Sequence, residues 1–150
     1  MFAATGILYN HESAYRDEGF VSRKIIGGAV RIWQGEQRDL VLGDLSAEID
    51  WGYAPDYVGA MERILALEVP DDFIIATGEL HSVQEFVAIA FESLGLDWRN
   101  HVREDPSLIT RQRPRQVGDA SKLRARTGWR PSVQFREMVE VLVREERDAP

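Results

Sequence analysis

The chain has no cysteine, which removes disulfides, zinc–thiolate sites and thiol nucleophiles together. No apolar run approaches the ~20 residues needed to cross a bilayer, so no membrane partner is expected. The opening MFAATGILYNHES has neither a basic stretch nor a small-residue cleavage site. That argues against an export signal and for a cytoplasmic location. Histidine is scarce, and His11, His81 and His101 share no close ligand spacing, so no metal site is expected. Positive charge is also short: 18 Lys and Arg against 25 Asp and Glu leave a net charge of -7. A nucleic-acid-binding surface is disfavoured, because phosphate contacts supply most of that affinity and want a basic face. A small anionic ligand held by a few local Arg and Lys stays compatible with this balance.

What is present is the composition of one globular unit: 150 residues, 44% apolar and 29% charged. Residues 2–9, FAATGILY, form a mostly apolar run of strand length, the pattern of a strand buried on both faces in a parallel sheet. A helix is predicted over 20–34, with Val21, Ile25, Gly28 and Ile32 on one side. Its Gly27-Gly28 pair weakens it unless another backbone packs there. A short strand at 40–42 follows. After DWGYAPDYV a helix over 55–67 places Pro55 in its first turn and Val58, Met61 and Leu65 along one face. Pro70-Asp71-Asp72 breaks the chain, and a buried strand over 73–77 ends at Gly78. Ser82 and Glu85 then form a capping box, opening a helix in which Val83, Phe86, Val87, Ala90, Phe91 and Leu94 recur at helical spacing and Gly95 is the stop. A shorter helix over 119–127 is stopped by Gly128. A last one over 135–146 turns Met138, Val139, Leu142 and Val143 inward, and REERDAP reads as a fraying terminus.

Strands at 2–9 and 73–77 separated by helices imply parallel pairing through a crossover. Two such strands do not make a stable sheet, so the first is expected to leave an apolar edge and the chain to be part of something larger. No glycine-rich phosphate loop follows a strand, and the adjacent His11, Glu12 and Ser13 cannot reach the geometry of a catalytic triad. Position is the stronger signal. Ligands of open parallel sheets bind beyond the carboxyl ends of strands, where Asn10-His11-Glu12-Ser13 and Gly78-Glu79 both fall, and these two ends are expected to meet in one crevice. The plain alternative has His11 and Ser13 capping the neighbouring turn and Arg16 paired with Asp17 or Glu18.

The segments GILYNHES, FVSRKI, DWGYAPDYVGAM, PDDFIIATGELHSVQEFV, GLDW, GDASKLRARTGW and the final F-x-E-M-V helix occur in this order over nearly the whole chain. In sequence and spacing they resemble the GDP-mannose 4,6-dehydratases, extended short-chain dehydrogenases/reductases. The resemblance implies an α/β fold: the last strands of a Rossmann-like doubly wound parallel sheet plus a small, mostly helical substrate-binding region, with the dinucleotide-binding part absent. It implies NADP as cofactor, reduced and reoxidised within one turnover, and a GDP-sugar as substrate, GDP-mannose going to GDP-4-keto-6-deoxymannose. By the same resemblance His11 and Arg16 contact NADP, and Asn10 faces the substrate. Val21 and Lys24 sit on a helix that approaches the sugar nucleotide, and Arg111 or Arg113 contacts its diphosphate. Read without the family, Lys24 is a snorkelling surface lysine and Val21 a core residue.

Three departures qualify this resemblance. The family's glycine-rich loop, its Thr and Glu catalytic residues and its Tyr-x-x-x-Lys pair have no counterpart here, so no catalytic residue is assigned and the chain alone is expected to be inactive. Ile49 stands where the family has a diphosphate-binding Arg, which forfeits charge-assisted hydrogen bonds. Ala14-Tyr15 stands where Pro-Arg is usual. The first reading is therefore a truncated dehydratase, whether a fragment, a split product or a mis-started frame. Its implied partner is the missing N-terminal half or a full-length paralogue, and homo-oligomers are compatible with it. The alternative is a non-catalytic nucleotide-sugar-binding or partner-binding module. A generic helical structural protein ranks last.

Overall fold

The computed structural model describes residues 1–109 and 115–149, and its strands form four two-stranded ladders. β1 (Thr5–Leu8) is followed after one residue by β2 (Asn10–Glu12), then α1 (Val21–Trp33), β3 (Leu40–Leu42), β4 (Glu48–Ile49), β5 (Trp51–Tyr53) and α2 (Ala54–Leu65). The second half runs β6 (Asp72–Ile75), β7 (His81–Ser82), α3 (Val83–Glu92), β8 (Val102–Glu104), α4 (Ser121–Thr127) and α5 (Phe135–Arg147), with short 3-10 turns at Trp98–Asn100 and Pro106–Leu108. β1 pairs parallel with β6, bringing Ile7 opposite Ile74. The parallel pairs β2–β5 and β3–β8 and the antiparallel pair β4–β7 complete the set. The predicted crossover between the first strand and residues 73–77 is thus present. No described helix is long and apolar enough to cross a membrane.

Two of the expectations for the first strand change. The run 2–9 does not continue as one strand into a loop; at Tyr9, whose N–H donates to the Ile75 carbonyl, the chain leaves β6 and pairs with β5 instead. Asn10, His11 and Glu12 are therefore strand residues, held in ladder register, rather than a polar loop beyond a strand end. Nor is β1 buried on both faces: Ile7 is 52% exposed, and Phe2 and Leu8 are exposed with it. β1 has one hydrogen-bonded neighbour among the described residues, and a strand reads as buried only when sequence hydrophobicity is matched by cover.

Helix periodicity was the dependable signal where both sides of the pattern were informative. The Ser82–Glu85 capping box forms with reciprocal bonds, the Glu85 N–H donating to Ser82 Oγ at 3.1 Å and the Ser82 N–H to Glu85 Oε2 at 2.6 Å. Gly95 and Gly128 take the left-handed conformation at their helix ends. Met138, Val139, Leu142 and Val143 of α5 are buried as predicted, against α1, α3 and β5 in the larger core cluster. In α1 the glycine pair has its packing reason: a Cβ on Gly28 would lie 2.8 Å from Leu40 Cδ1, so a side chain of β3, rather than another backbone, needs the space. α2 is rotated relative to the expectation. Tyr57, Ala60 and Ile64 are the buried face, in a second cluster with Phe73, Ile75, Leu123 and Trp129. Val58, Met61 and Leu65 face outward, Leu65 being 68% exposed. The predicted fraying tail is instead ordered helix to Arg147, where Glu146 pairs with Arg23 of α1.

One buried charge joins these parts. Asp50, between β4 and β5, is 1% exposed. Its Oδ1 accepts from the Thr77 N–H at 3.0 Å and the Thr77 hydroxyl at 2.5 Å, and its Oδ2 from the Gly78 N–H at 3.1 Å and the Gly118 N–H at 3.0 Å. Gly118 reaches it because it has no side chain; a Cβ there would run into Ala76. A buried carboxylate is tolerated only with this degree of satisfaction. Asp50→Asn turns one accepting oxygen into a donor facing donors. It is expected to lower the unfolding free energy by about 3 kcal/mol, measured by urea titration; an unchanged midpoint would refute the assignment.

Candidate functional site

The polar residues at the start of the chain are positioned by β2 and by the turn that follows it. His11 lies opposite Gly52 in the β2–β5 register. Its Nδ1 bonds the Tyr9 carbonyl at 2.9 Å; since a carbonyl only accepts, Nδ1 carries the hydrogen and Nε2 keeps its lone pair when the ring is neutral. The imidazole stacks on Tyr57 with ring centroids 5.1 Å apart. Gly52 makes that stack possible, because a Cβ at 52 would collide with the Tyr57 ring. Burial pushes the Tyr57 hydroxyl well above its ordinary pKa, so Tyr57 is a neutral platform for His11.

Arg16 pairs neither with Asp17 nor with Glu18. Its Nε lies 3.5 Å from Glu12 Oε2, and its guanidinium sits over the Phe20 ring, 3.5 Å from the centroid. Asp17 instead closes the local turn, accepting from the Gly19 N–H. Ser13 Oγ accepts from the Tyr15 N–H, as the plain alternative expected. Glu12 is the hidden member of the group, 2% exposed and accepting from the Ser22 hydroxyl at 2.6 Å. It ties β2 to the first turn of α1.

Two cavities share Asn10 and Arg16 as a common wall. The first, of about 500 Å³, is lined by Ile7, Leu8, Tyr9, Asn10, His11, Arg16 and Gln116. The second, of about 350 Å³, runs from Asn10 and Arg16 past Phe20 and Val21 to Ile49, Trp51 and Leu108. The structure thus brings Asn10, His11, Arg16 and Val21 together. Lys24 is exposed on α1 and lines neither cavity. Arg111 and Arg113 lie outside the described residues. The two strand ends do not meet in one crevice: Glu79 lines a separate cavity with Thr77, His81 and Arg124. Trp51 is the wall between that cavity and the one containing Val21.

Sequence reasoning missed Glu12 with Ser22, and Asp50. An acid set among apolar residues, as in Glu48-Ile49-Asp50-Trp51 or Tyr9 to Glu12, is the available signal, because such an acid must be buried with partners or turned outward.

The solved structures that resemble this chain define the class of fold. RMD from Pseudomonas aeruginosa, in complex with NADPH, matches 95% of this chain and 47% of its own with a TM-score of 0.83 at 19% identity. UDP-glucose 4-epimerase from Thermus thermophilus, in complex with NAD, matches 98% of this chain and 47% of its own with a TM-score of 0.78 at 24% identity. The architecture is that of a Rossmann-like α/β protein, represented by parallel strand pairs and a small, mostly helical region. Residues 1–142 match the model of the GDP-mannose 4,6 dehydratase family. GDP-mannose 4,6 dehydratase 1 of Arabidopsis thaliana is 45% identical over 150 residues, covering 97% of this chain and 41% of the relative. The human GDP-mannose 4,6 dehydratase is 39% identical, covering 95% and 43%. The chain belongs to the GDP-mannose 4,6-dehydratase family, and it spans about two fifths of the length of these curated relatives, within their C-terminal part.

Burial raises the Glu12 carboxyl above its ordinary value of 4.5, outweighing the Ser22 hydrogen bond and the charges of Arg16 and His11, which pull it down. The folded chain therefore holds this proton more tightly than the unfolded one. The Glu12 contribution to stability declines as pH rises from 4.5 through the folded-state pKa. Glu12→Gln keeps an acceptor for Ser22 and removes the titration. Urea unfolding from pH 4.5 to neutrality should show a flatter stability profile for the variant; identical slopes would refute the assignment.

Proposed function

We propose that this chain is the nucleotide-sugar- and cofactor-facing portion of a GDP-mannose 4,6-dehydratase, acting on a GDP-sugar with NADP. The observation that carries this reading is the Asn10–Arg16 wall shared by two adjacent cavities in a member of that family. Adjacent cavities suit a cofactor and a substrate that must meet.

The residues fit an anionic dinucleotide. The Arg16 guanidinium, held by Glu12 and Phe20, stands on the wall of both cavities, where a fixed cation suits an anionic ligand. His11, Asn10 and Arg16 would hold the cofactor edge, with Glu12 and Phe20 fixing the Arg16 guanidinium. Asn10 and Val21 would face the sugar nucleotide; Lys24, which lines neither cavity, has no part in this arrangement. NADP, when bound, supplies hydride transfer; the protein's part is orientation. The chain contains no Tyr-x-x-x-Lys pair to move protons, so these residues bind and position rather than catalyse.

The full 150-residue chain is expected to bind NADP in a calorimetric titration and to give no dehydration of GDP-mannose. Arg16→Gln should weaken NADP at least about tenfold, the worth of a charge-assisted hydrogen bond. Turnover by the isolated chain, or unchanged NADP affinity in the variant, would sink this reading. Ile49, packed against the core and lining the Val21 cavity, gives that cavity an aliphatic side chain where a dehydratase of this family carries arginine. It favours the second reading, a non-catalytic nucleotide-sugar-binding module, which predicts GDP-mannose binding without turnover even when a preceding α/β portion is supplied.

The exposed β1 residues and the outward Val58, Met61 and Leu65 of α2 suit cover by a further protein surface. Without it the chain should self-associate, visible as a concentration-dependent mass in light scattering; a monodisperse monomer at all concentrations would count against this role of the surface.

A further inference from the structure

The geometry points to a second binding site, separate from the Asn10–Arg16 crevice: the cavity under Arg124, which takes a small organic anion by its carboxylate or phosphoryl head. This cavity, of about 200 Å³, lies beyond the end of β6. It is several times the ~30 Å³ that one water occupies. One wall is apolar, formed by Trp51, Phe135 and Met138, and the other carries Thr77, Glu79, His81, Arg124 and Arg130. An apolar wall with a few convergent polar groups is the usual make-up of a small-molecule site.

Arg124 is built into this place. It extends from α4 to the end of β6, where its Nη2 donates to the Thr77 carbonyl at 3.2 Å. Gly78, at φ +83°, leaves room for the guanidinium, since a Cβ there would lie 3.1 Å from Nη2. Yet Arg124 Nε is buried without a hydrogen-bond partner among the described residues, and so is His81 Nε2. The His81 ring lies flat on Phe135, centroids 3.8 Å apart and 2° from parallel. The Arg124 Nε–H is a permanent donor, and a buried donor of this kind is costly unless something brings an acceptor to it.

The sign of the charge selects the ligand. Arg124 and Arg130 supply permanent positive charge, and a guanidinium fork matches carboxylate and phosphate geometry. The opposing carboxylates, Glu79 and Glu85, each 3.8 Å from a His81 ring nitrogen, have side chains 67% and 57% exposed and are screened by solvent. An anionic head on Arg124 leaves the body of the ligand against Trp51 and Phe135. Inorganic phosphate offers only the head. Benzoate and phenyl phosphate offer head and body together.

The test is a ¹⁵N NMR titration of the full chain, following the Arg124 Nε–H signal, with benzoate, phenyl phosphate and inorganic phosphate as separate probes. Benzoate or phenyl phosphate should shift that signal saturably, more tightly than inorganic phosphate, and which of the two binds better identifies the head group. In a calorimetric titration with the same probes, Arg124→Gln should lose at least about tenfold in affinity. Because that variant also removes the Thr77 contact, Val133→Phe, which narrows the cavity and leaves Arg124 in place, is expected to lose binding as well. No saturable shift with any probe, or affinity in both variants unchanged from that of the unsubstituted chain, would overturn the site. So would displacement of the probe by GDP, which would place the anion in the Asn10–Val21 crevice. NADP binding lost in Arg16→Gln but retained in Arg124→Gln separates this proposal from the function proposed above.

Discussion

The Asp50 carboxylate is the constraint on which the remaining geometry depends. It sits at the joint between β4 and β5 and fixes the Thr77-Gly78 turn and the Gly118 backbone at once. Those contacts set where β6 ends, where the chain enters α4, and how β5 lies against both. β5 in turn carries the register of β2, and with it Asn10 and His11. One ion, fully supplied with donors, thereby locates residues on three separate stretches of chain. Hydrophobic burial could not do this alone, because it is roughly proportional to area and indifferent to direction. Satisfying four donors at one carboxylate is directional, and a shifted arrangement would leave buried donors without partners.

Close approach at glycine does the complementary work. Gly52 admits the Tyr57 ring under His11, Gly118 admits the backbone that reaches Asp50, and Gly28 admits Leu40 against α1. Each lets a backbone or a large side chain come nearer than a Cβ would allow, and each lies beside a group that positions the site. Asp56 is a second anchor of the same kind: it accepts from the Ser132 N–H and hydroxyl and the Val133 N–H. Its carbonyl takes the Trp129 indole N–H. That fastens the segment between α4 and α5, which supplies one wall of the Arg124 cavity.

Helices of this fold were legible in sequence because their signals are local. Capping at Ser82 and Glu85, stops at Gly95 and Gly128 and the 3.6-residue period of α3 and α5 all lie within a few residues of what they specify. α2 was read in the wrong phase because both Val58-Met61-Leu65 and Tyr57-Ala60-Ile64 fit a helical period, and the choice is made by Phe73, Trp129 and the rest of a cluster distant in sequence. The strands β4, β5, β7 and β8 went unread since runs of two or three residues carry no periodicity. The partner switch at Tyr9 was equally invisible: alternation along a strand does not say which neighbour it pairs with. Of the site, Asn10, His11, Glu12 and Arg16 were legible as a cluster of unusual chemistry, and Val21 only through the family resemblance. The burial of Glu12 and the place of Asp50 were not legible, because they depend on donors supplied from residues 22, 77, 78 and 118.

Trp51 gives the two sides of the molecule a shared element. Its indole, 3% exposed, touches Phe86 and Phe135 and forms a wall of both the Val21 cavity and the Arg124 cavity. It follows directly after Asp50, so the hydrogen bonds that fix Asp50 also limit the backbone at Trp51. A ligand pressing on either face of the ring must then be accommodated by the side chain and by Phe135, on which His81 is stacked. Packed interiors deform little, so Trp51, held by Phe86, Phe135 and the backbone fixed at Asp50, keeps one wall of each cavity in a set relation to the other.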